Sequence, residues 1–122
     1  MSKKIKFDGI EGEFVGYARV STIEQNLDMQ LRMLKEIPCK RIFQDKLSAA
    51  NMRREGWNDC WRYLREGDTL VVYSMSRLAR SVKELLAINE KLMDRKITLK
   101  SLTEPIDTRT ADGKLIFNVR AA

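Results

Sequence analysis

The fold is decided by the stretch FVGYARVST, which runs from Phe14 to Thr22. Residues 14–20 have the apolar, β-branched and aromatic content of a buried strand. The next residues, Thr22-Ile23-Glu24-Gln25, predict a helix start, because Thr22 can cap the helix while Gln25 reaches back. Apolar residues then continue at helical spacing until Pro38: Ile23, Leu27, Leu31 and Leu34. A strand that leads directly into a helix is the first half of a βαβ unit.

The rest of the chain repeats this alternation. Further strands are predicted at residues 41–44, 69–73 and 97–99. Two apolar stripes predict further helices: Trp57, Cys60, Trp61 and Leu64 before Gly67, then Val82, Leu85, Leu86 and Met93. Such alternation predicts an α/β fold in three layers. We expect a mostly parallel sheet of four to five strands with helices on both faces, of the Rossmann and flavodoxin type.

The two ends of the chain depart from this pattern. Residues 1–12 are polar and contain glycine, so we expect a flexible leader, followed by the α/β domain over residues 13–108. Residues 109–122 end in LIFNVRAA, which predicts the opening of an apolar helix. Because a helix of this hydrophobicity normally continues and packs against a partner, we expect a fragment in which a long helix is truncated.

The composition is that of one globular domain. Of the 122 residues, 43% are hydrophobic and 33% are charged. The net charge of +6 permits contact with a polyanion but does not prove it. The two cysteines are too few for a disulfide scaffold and lack metal-site spacing, which fits a reducing, cytoplasmic compartment. The sequence has no apolar run of membrane-spanning length and no signal-peptide pattern at its start.

Polar side chains recur where the predicted strands end. One pair, Arg19 and Ser21, lies at the end of the first strand, and two further pairs follow the second and third strands: Asp45 and Ser48, and Arg77 and Arg80. Because ligands of parallel sheets bind at the carboxyl ends of the strands, we expect these pairs to converge on one rim. Arg53 and Arg54 stand at a loop mouth before the second helix. Arg19 lies within an otherwise apolar strand, where a charge is costly unless it has a partner.

These residue types favour attack on a phosphate. Guanidinium groups bind phosphate bidentately and stay charged at every relevant pH. Ser21 precedes a helix start, where free backbone N–H groups attract anions, although a serine there is more often a turn former or cap. With no histidine in the chain, the commonest general base and metal ligand are missing. Four arginines at roughly 3–4 kcal/mol each would supply on the order of 12–16 kcal/mol to a metal-free reaction.

Competing motifs are missing from the sequence. It contains neither the phosphate loop GxxxxGK nor GxGxxG after the first strand, and it lacks the nucleophile elbow GxSxG. No acidic cluster follows the first strand, which argues against a magnesium-dependent phosphoacceptor domain.

The chain resembles the serine recombinase family of resolvases, DNA invertases and serine integrases. The resemblance runs from about Val15 to the end. Five motifs carry it: the segment from Tyr17 to Gln30, FQDK at 43–46, the Arg53-Arg54 pair, GDTLVV at 67–72 and SRLARS at 76–81. It implies the N-terminal catalytic domain of a site-specific recombinase, which cuts and rejoins DNA without a metal or any other cofactor.

The resemblance also assigns roles to residues. Ser21 would attack a DNA phosphodiester, forming a 5′-phosphoserine link and releasing a 3′-hydroxyl. The matched catalytic arginines are Arg19, Arg54, Arg77 and Arg80. Because Arg53 is adjacent to Arg54, the alignment of Arg54 with the family's fourth arginine stays open. The supporting or DNA-contacting positions are Tyr17, Gln25, Asp45, Ser48, Arg53, Asp68 and Ser76. The implied partners are DNA and further copies of the chain, in a dimer and a synaptic tetramer built through the helix beginning in residues 109–122. The implied location is the nucleoid of a prokaryotic cytoplasm.

One departure from the family leaves alternatives open. The family commonly has Asp-Arg-Leu-x-Arg, whereas this chain has Ser76-Arg77-Leu78-Ala79-Arg80. A neutral serine holds a guanidinium more weakly than a carboxylate does. The hypotheses are therefore a recombinase catalytic domain, a non-catalytic module of the same fold that assembles proteins on DNA, and a binder of a small phosphate ligand. Asp68 and Glu24 are candidates for the general base by charge only.

Overall fold

The computed structural model describes residues 4–7, 10–21, 27–47 and 54–104. These residues form five strands and three α-helices. The strands are β1 (Lys4–Phe7), β2 (Ile10–Ser21), β3 (Cys39–Leu47), β4 (Thr69–Val72) and β5 (Thr98–Ser101). The helices are α1 (Leu27–Glu36), α2 (Glu55–Tyr63) and α3 (Val82–Asp94), with a short 3-10 turn at Met75–Arg77. Within the described residues, no helix combines the length and the apolar character needed to cross a membrane.

The sheet is parallel apart from one strand at its amino end. β2 is central, with β3 on one side and β4 followed by β5 on the other, and all these neighbours are parallel. Because the chain goes from β2 to β3 on one side and then to β4 on the other, the gap between β2 and β4 is a topological switch point. The predicted mostly parallel α/β sheet is confirmed, and the four strands predicted from sequence are all present.

Helices cover both faces of this sheet. One core cluster lies under α2 and α3 and includes Val15, Tyr17 and Leu70, and the opposite cluster joins Phe14 and Ala18 to Leu34 of α1. Neighbouring residues of β2 therefore belong to different clusters, as the alternation of side chains along a strand requires. The predicted three-layer arrangement is confirmed.

The amino end of the domain differs from the predicted leader over residues 1–12. β1 pairs antiparallel with the start of β2, with Phe7 opposite Ile10 and Lys4 opposite Glu13. β2 consequently begins four residues before the predicted strand start at Phe14. The sequence signal was the dipeptide Asp8-Gly9 between apolar residues, which is the strongest short-range sign of a hairpin.

The apolar stripe predicted for α3 was partly wrong. Leu85 and Leu92 are buried, but Val82 and Leu86 leave 48% and 45% of their surface exposed. The buried positions are seven residues apart, two helical turns, and the partly buried Ile88 lies between them. Val82 and Leu86 stand four residues apart on a different side of the helix, so hydrophobicity alone did not identify the buried face.

Candidate active site

The end of β2 extends beyond its neighbour at the switch point. β4 pairs with residues 14–17 of β2, whereas β3 pairs with β2 as far as Ser21. Among the described strands, the four residues from Ala18 to Ser21 thus have a partner on the β3 side only. On the other side of this end of β2, the backbone of Arg19 is hydrogen-bonded to the side chain of Gln30 in α1. This side chain accepts from Arg19 N at 3.4 Å and donates to Arg19 O at 3.2 Å.

Arg19 brings a positive charge into this strand end. Its residue surface is only 8% exposed. Nη2 donates to the carbonyl oxygen of Ser76 at 2.6 Å, while Nη1 is buried and has no hydrogen-bond partner among the described residues. Burial lowers the pKa of Arg19, and the neighbouring positive charges of Arg54 and Arg80 lower it further. A buried donor that lacks an acceptor, among other cations, suits an anionic ligand.

Arg54 lies beside Arg19 at the start of α2. Nη1 forms an ion pair with Glu84 Oε1 at 2.8 Å, and Nη2 donates to Leu78 O at 2.9 Å. The guanidinium carbon also lies 5.9 Å from the ring centroid of Tyr17 and 5.6 Å from that of Trp57. Arg54 thereby connects β2, α2 and the segment that leads into α3.

The remaining two predicted arginines lie on the segment after β4. Arg77 is half-buried in the 3-10 turn, and Arg80 is exposed before α3. Ser76 is exposed, and its hydroxyl lies 2.9 Å from that of Ser74. The turn is anchored by the segment after β5, because Met75 N donates to Glu104 Oε1 at 3.0 Å.

Asp45 and Tyr17 form a buried pair under this rim. Tyr17 OH donates to Asp45 Oδ2 at 2.6 Å. Asp45 also accepts from Gly56 N at 2.8 Å and from Trp57 N at 2.9 Å, so it caps the amino end of α2. Burial, followed by the hydrogen bond to Asp45, raises the pKa of Tyr17 well above its ordinary value. From the buried side, Asp45 and Tyr17 therefore stabilise the strand ends at which the arginines lie.

Asp68 lies elsewhere, and this corrects its expected place in the site. It precedes β4, so it is at the amino edge of the sheet, opposite the arginines. Its oxygens accept from Glu13 N and Arg65 N, each at 2.9 Å. Asp68 joins two strand starts, and a role as general base does not fit this position.

Several predicted site residues are only partly described or not described. Ser21 is the last residue of β2, with its Cα opposite Leu47, and only its backbone is described. Gln25, Ser48 and Arg53 lie outside the described residues, as do Thr22 and Glu24. The predicted helix in residues 109–122 also lies outside them.

Two residues that contact the site, Gln30 and Glu84, were not predicted from the sequence. Gln30 is completely buried, and polar residues on a helix give no local sign of such a role. Glu84 did carry a signal, because Ser81-Val82-Lys83-Glu84 has the form of a capping box. In the structure Ser81 Oγ accepts from Glu84 N at 3.1 Å. No group of acidic, cysteine or histidine side chains among the described residues could hold a metal ion.

Comparisons with known proteins agree with this architecture. The family "Resolvase, N terminal domain" matches residues 14–122. DNA-invertase hin of Salmonella typhimurium is 44% identical over 108 residues, which are 88% of this chain and 57% of that protein. Serine recombinase gin of Escherichia phage Mu is 43% identical over 108 residues, covering 88% of this chain and 56% of gin. The chain therefore spans somewhat more than half the length of these relatives.

A solved structure has a similar fold. The N-terminal catalytic domain of TP901-1 integrase superposes with a TM-score of 0.70 and 29% sequence identity, over 87% of this chain and 88% of that domain. The chain belongs to the resolvase N-terminal domain family, the family to which its sequence motifs pointed.

Proposed function

We propose that this chain is the catalytic domain of a serine recombinase that cuts and rejoins DNA. One observation carries the proposal: the buried Arg19 guanidinium, two residues before Ser21 and beside Arg54, has an Nη1 with no hydrogen-bond partner in the described part of the chain. The names of the relatives, DNA invertase and serine recombinase, support DNA as the substrate. The net charge of +6 is favourable for contact with DNA.

The reaction is a transesterification at phosphorus. The Ser21 Oγ would attack a phosphodiester, forming a 5′-phosphoserine bond while the bond to the 3′-oxygen breaks. The serine proton leaves and the 3′-oxygen gains a proton, so a 3′-hydroxyl is released. Arg19, Arg54, Arg77 and Arg80 would stabilise the charge on the phosphoryl oxygens. Because the phosphoserine ester retains the energy of the broken bond, the reverse attack can rejoin a strand without a cofactor.

The assembly and location belong to the same proposal. A recombinase must hold two DNA sites together, so we expect a dimer that pairs into a tetramer, through the helix predicted to begin in residues 109–122. The relatives come from bacteria and phages, which supports action on DNA in a prokaryotic cytoplasm.

Covalent trapping tests the proposal. The protein in its full natural length is mixed with duplex DNA that carries its recombination site, labelled either at the 5′ or at the 3′ end, and denatured. We expect the protein to stay attached to the 3′-labelled fragment, while the 5′-labelled fragment is released with a 3′-hydroxyl that a polymerase can extend. Ser21→Ala should lose the adduct. Ser74→Ala, which removes a hydroxyl beside Ser76, should keep it.

Three results would contradict the proposal. Attachment to the opposite fragment would mean a different leaving group, and an adduct that survives Ser21→Ala would mean a different nucleophile. If the wild-type protein formed no adduct on any site, the chain would be a non-catalytic module on DNA.

A further inference from the structure

Glu84 is an acidic side chain beside the arginines of the site, Arg19 and Arg54, and its partner is Arg54. The Glu84 Oε1 to Arg54 Nη1 distance is 2.8 Å, and the two side chains are 35% and 19% exposed. Ion pairs on an open surface are held weakly, but this one is half-buried and one partner has further contacts. The opposite edge of the guanidinium binds Leu78 O, so Arg54 is held at both of its amino groups.

Glu84 itself has a fixed place. It lies in the first turn of α3, where the helix dipole favours a carboxylate. Its backbone N–H donates to Ser81 Oγ at 3.1 Å, so the turn that carries it is capped. The carboxylate is therefore presented to Arg54 from a rigid helix start.

The charges show why Arg54 needs such a partner. Arg54 and Arg80 act on the buried Arg19 as like charges, and Glu84 acts on it as an opposite charge. With no phosphate bound, repulsion favours a pose of Arg54 away from Arg19. The Tyr17 and Trp57 rings contact the guanidinium, but cation–π contacts alone are weak at a partly exposed site.

We propose that Glu84 is a positioning residue, which holds the Arg54 guanidinium next to Arg19 so that an incoming DNA phosphate meets both. The inference rests on the proposed function. Glu84 would also compensate the positive charge of these arginines before DNA arrives. Its negative charge would weaken the attraction of the site for DNA, but it would preorganise the guanidinium groups. Preorganised donors stabilise a transition state best.

The signature of positioning is an opposite effect on binding and on rate. Glu84→Gln keeps the size and one acceptor oxygen but removes the charge. We expect affinity for the recombination-site duplex to be unchanged or higher, because one negative charge near the polyanion is lost. The single-turnover rate of adduct formation at saturating DNA should fall about tenfold, the difference between a charge-assisted and a neutral hydrogen bond. A carboxylate that only repels DNA would, once removed, raise the affinity and leave the rate at saturating DNA unchanged, and a damaged fold would lower both quantities.

Three variants sharpen the test. Glu84→Asp restores the charge on a shorter side chain and should recover part of the rate. Glu90→Gln, an equal charge change at an exposed position of α3, should leave the rate unchanged. In an Arg54→Met background, Glu84→Gln should have little further effect, because the partner through which it acts is missing. An unchanged or faster rate in Glu84→Gln, or an equal effect in both backgrounds, would overturn the inference.

A measurement without DNA separates this inference from the proposed function. In the nuclear magnetic resonance spectrum of the 122-residue chain, the Arg54 Nε–H group should show restricted motion that Glu84→Gln releases and Glu90→Gln does not. Equal mobility of Arg54 in all three proteins would overturn the positioning role. A rigid, Glu84-dependent Arg54 in a protein that forms no adduct would leave the positioning contact intact and refute the recombinase.

Discussion

At the scale of single residues, Arg19 shows what the site lacks. A charge that is only 8% exposed is costly unless it is paired. The partner of Nη2 is the Ser76 carbonyl, a neutral acceptor, and Nη1 has no partner within the ranges that the structure describes. A phosphate oxygen would supply the missing acceptor, and an ionised one would do so more strongly than a carbonyl.

Position 76 is where a single substitution should strengthen the site. Ser76 has an exposed side chain beside the backbone oxygen that holds Arg19, and it stands where the motif of the resemblance, Asp-Arg-Leu-x-Arg, has its aspartate. We expect Ser76→Asp to raise the rate of adduct formation about tenfold, because a carboxylate holds a guanidinium about 1–1.5 kcal/mol more strongly than a hydroxyl does. The rate is measured in single turnover on the recombination-site duplex. Ser74→Asp adds the same charge two residues away and should not reproduce the gain. An unchanged or lower rate in Ser76→Asp would refute the prediction.

At the scale of elements, Asp45 joins a strand to a helix. Arg54, at the cap position of α2, makes no side-chain capping bond, and Asp45 of β3 replaces it by accepting from Gly56 N and Trp57 N. The approach is close: a Cβ on Gly56 would lie 2.1 Å from Gln44 O. Glycine at position 56 thus allows the helix start to reach the strand that carries Asp45.

Asp45→Ala should therefore loosen this junction. It leaves two helix-start N–H groups and the buried Tyr17 hydroxyl without their acceptor. We expect the free energy of unfolding to fall by about 3 kcal/mol, measured by urea denaturation. The matched control is Asp59→Ala in α2, an exposed acid paired with exposed Arg62, which should cost no more than about 0.5 kcal/mol. Equal losses in the two variants would show that Asp45 does not cap α2.

Elements were predictable where one local pattern decided them. The β-branched run at 69–73 needed no context, and β4 is Thr69–Val72. The buried face of α3 required tertiary information, because Val82 and Leu86 are as apolar as Leu85 and Leu92. Asp68 was expected in the site but precedes β4, at the amino end of that strand, whereas ligand sites follow the carboxyl ends of strands. This order could have been read from the sequence.

At the scale of the whole molecule, the candidate site exists only in the folded chain. Arg19, Arg54 and Ser76 come from β2, the start of α2 and the turn after β4, and the bond from Arg19 to Ser76 spans 57 positions of sequence. The convergence of strand ends on one rim follows from parallel topology and was predictable. The pairing of Arg54 with Glu84 was not, since it depends on how the starts of α2 and α3 face each other.

The pH dependence of stability follows from the buried thiols. Burial raises the pKa of Cys60 from its usual 9.0 to about 12, with a smaller contribution from the negative charge of Asp45. Burial also raises the pKa of Cys39 to about 11. Between pH 9 and these values the unfolded chain loses thiol protons that the folded chain keeps. Stability contributed by the neutral thiols is therefore complete below pH 9 and is lost as the pH rises.

Cys60→Ala should make this loss less steep. Each thiol contributes a slope of about −1.4 kcal/mol per pH unit once the unfolded form ionises and the folded form does not. Urea unfolding of the wild type and Cys60→Ala from pH 8 to 10.5 should give curves that are parallel below pH 8.5 and converge above pH 9. The variant has a lower free energy of unfolding throughout the lower range, because it leaves a cavity in the core, but only the change with pH tests the thiol. Groups that titrate equally in both proteins cancel in the difference. A constant difference across the whole range would mean that Cys60 ionises as readily in the folded chain as in the unfolded one.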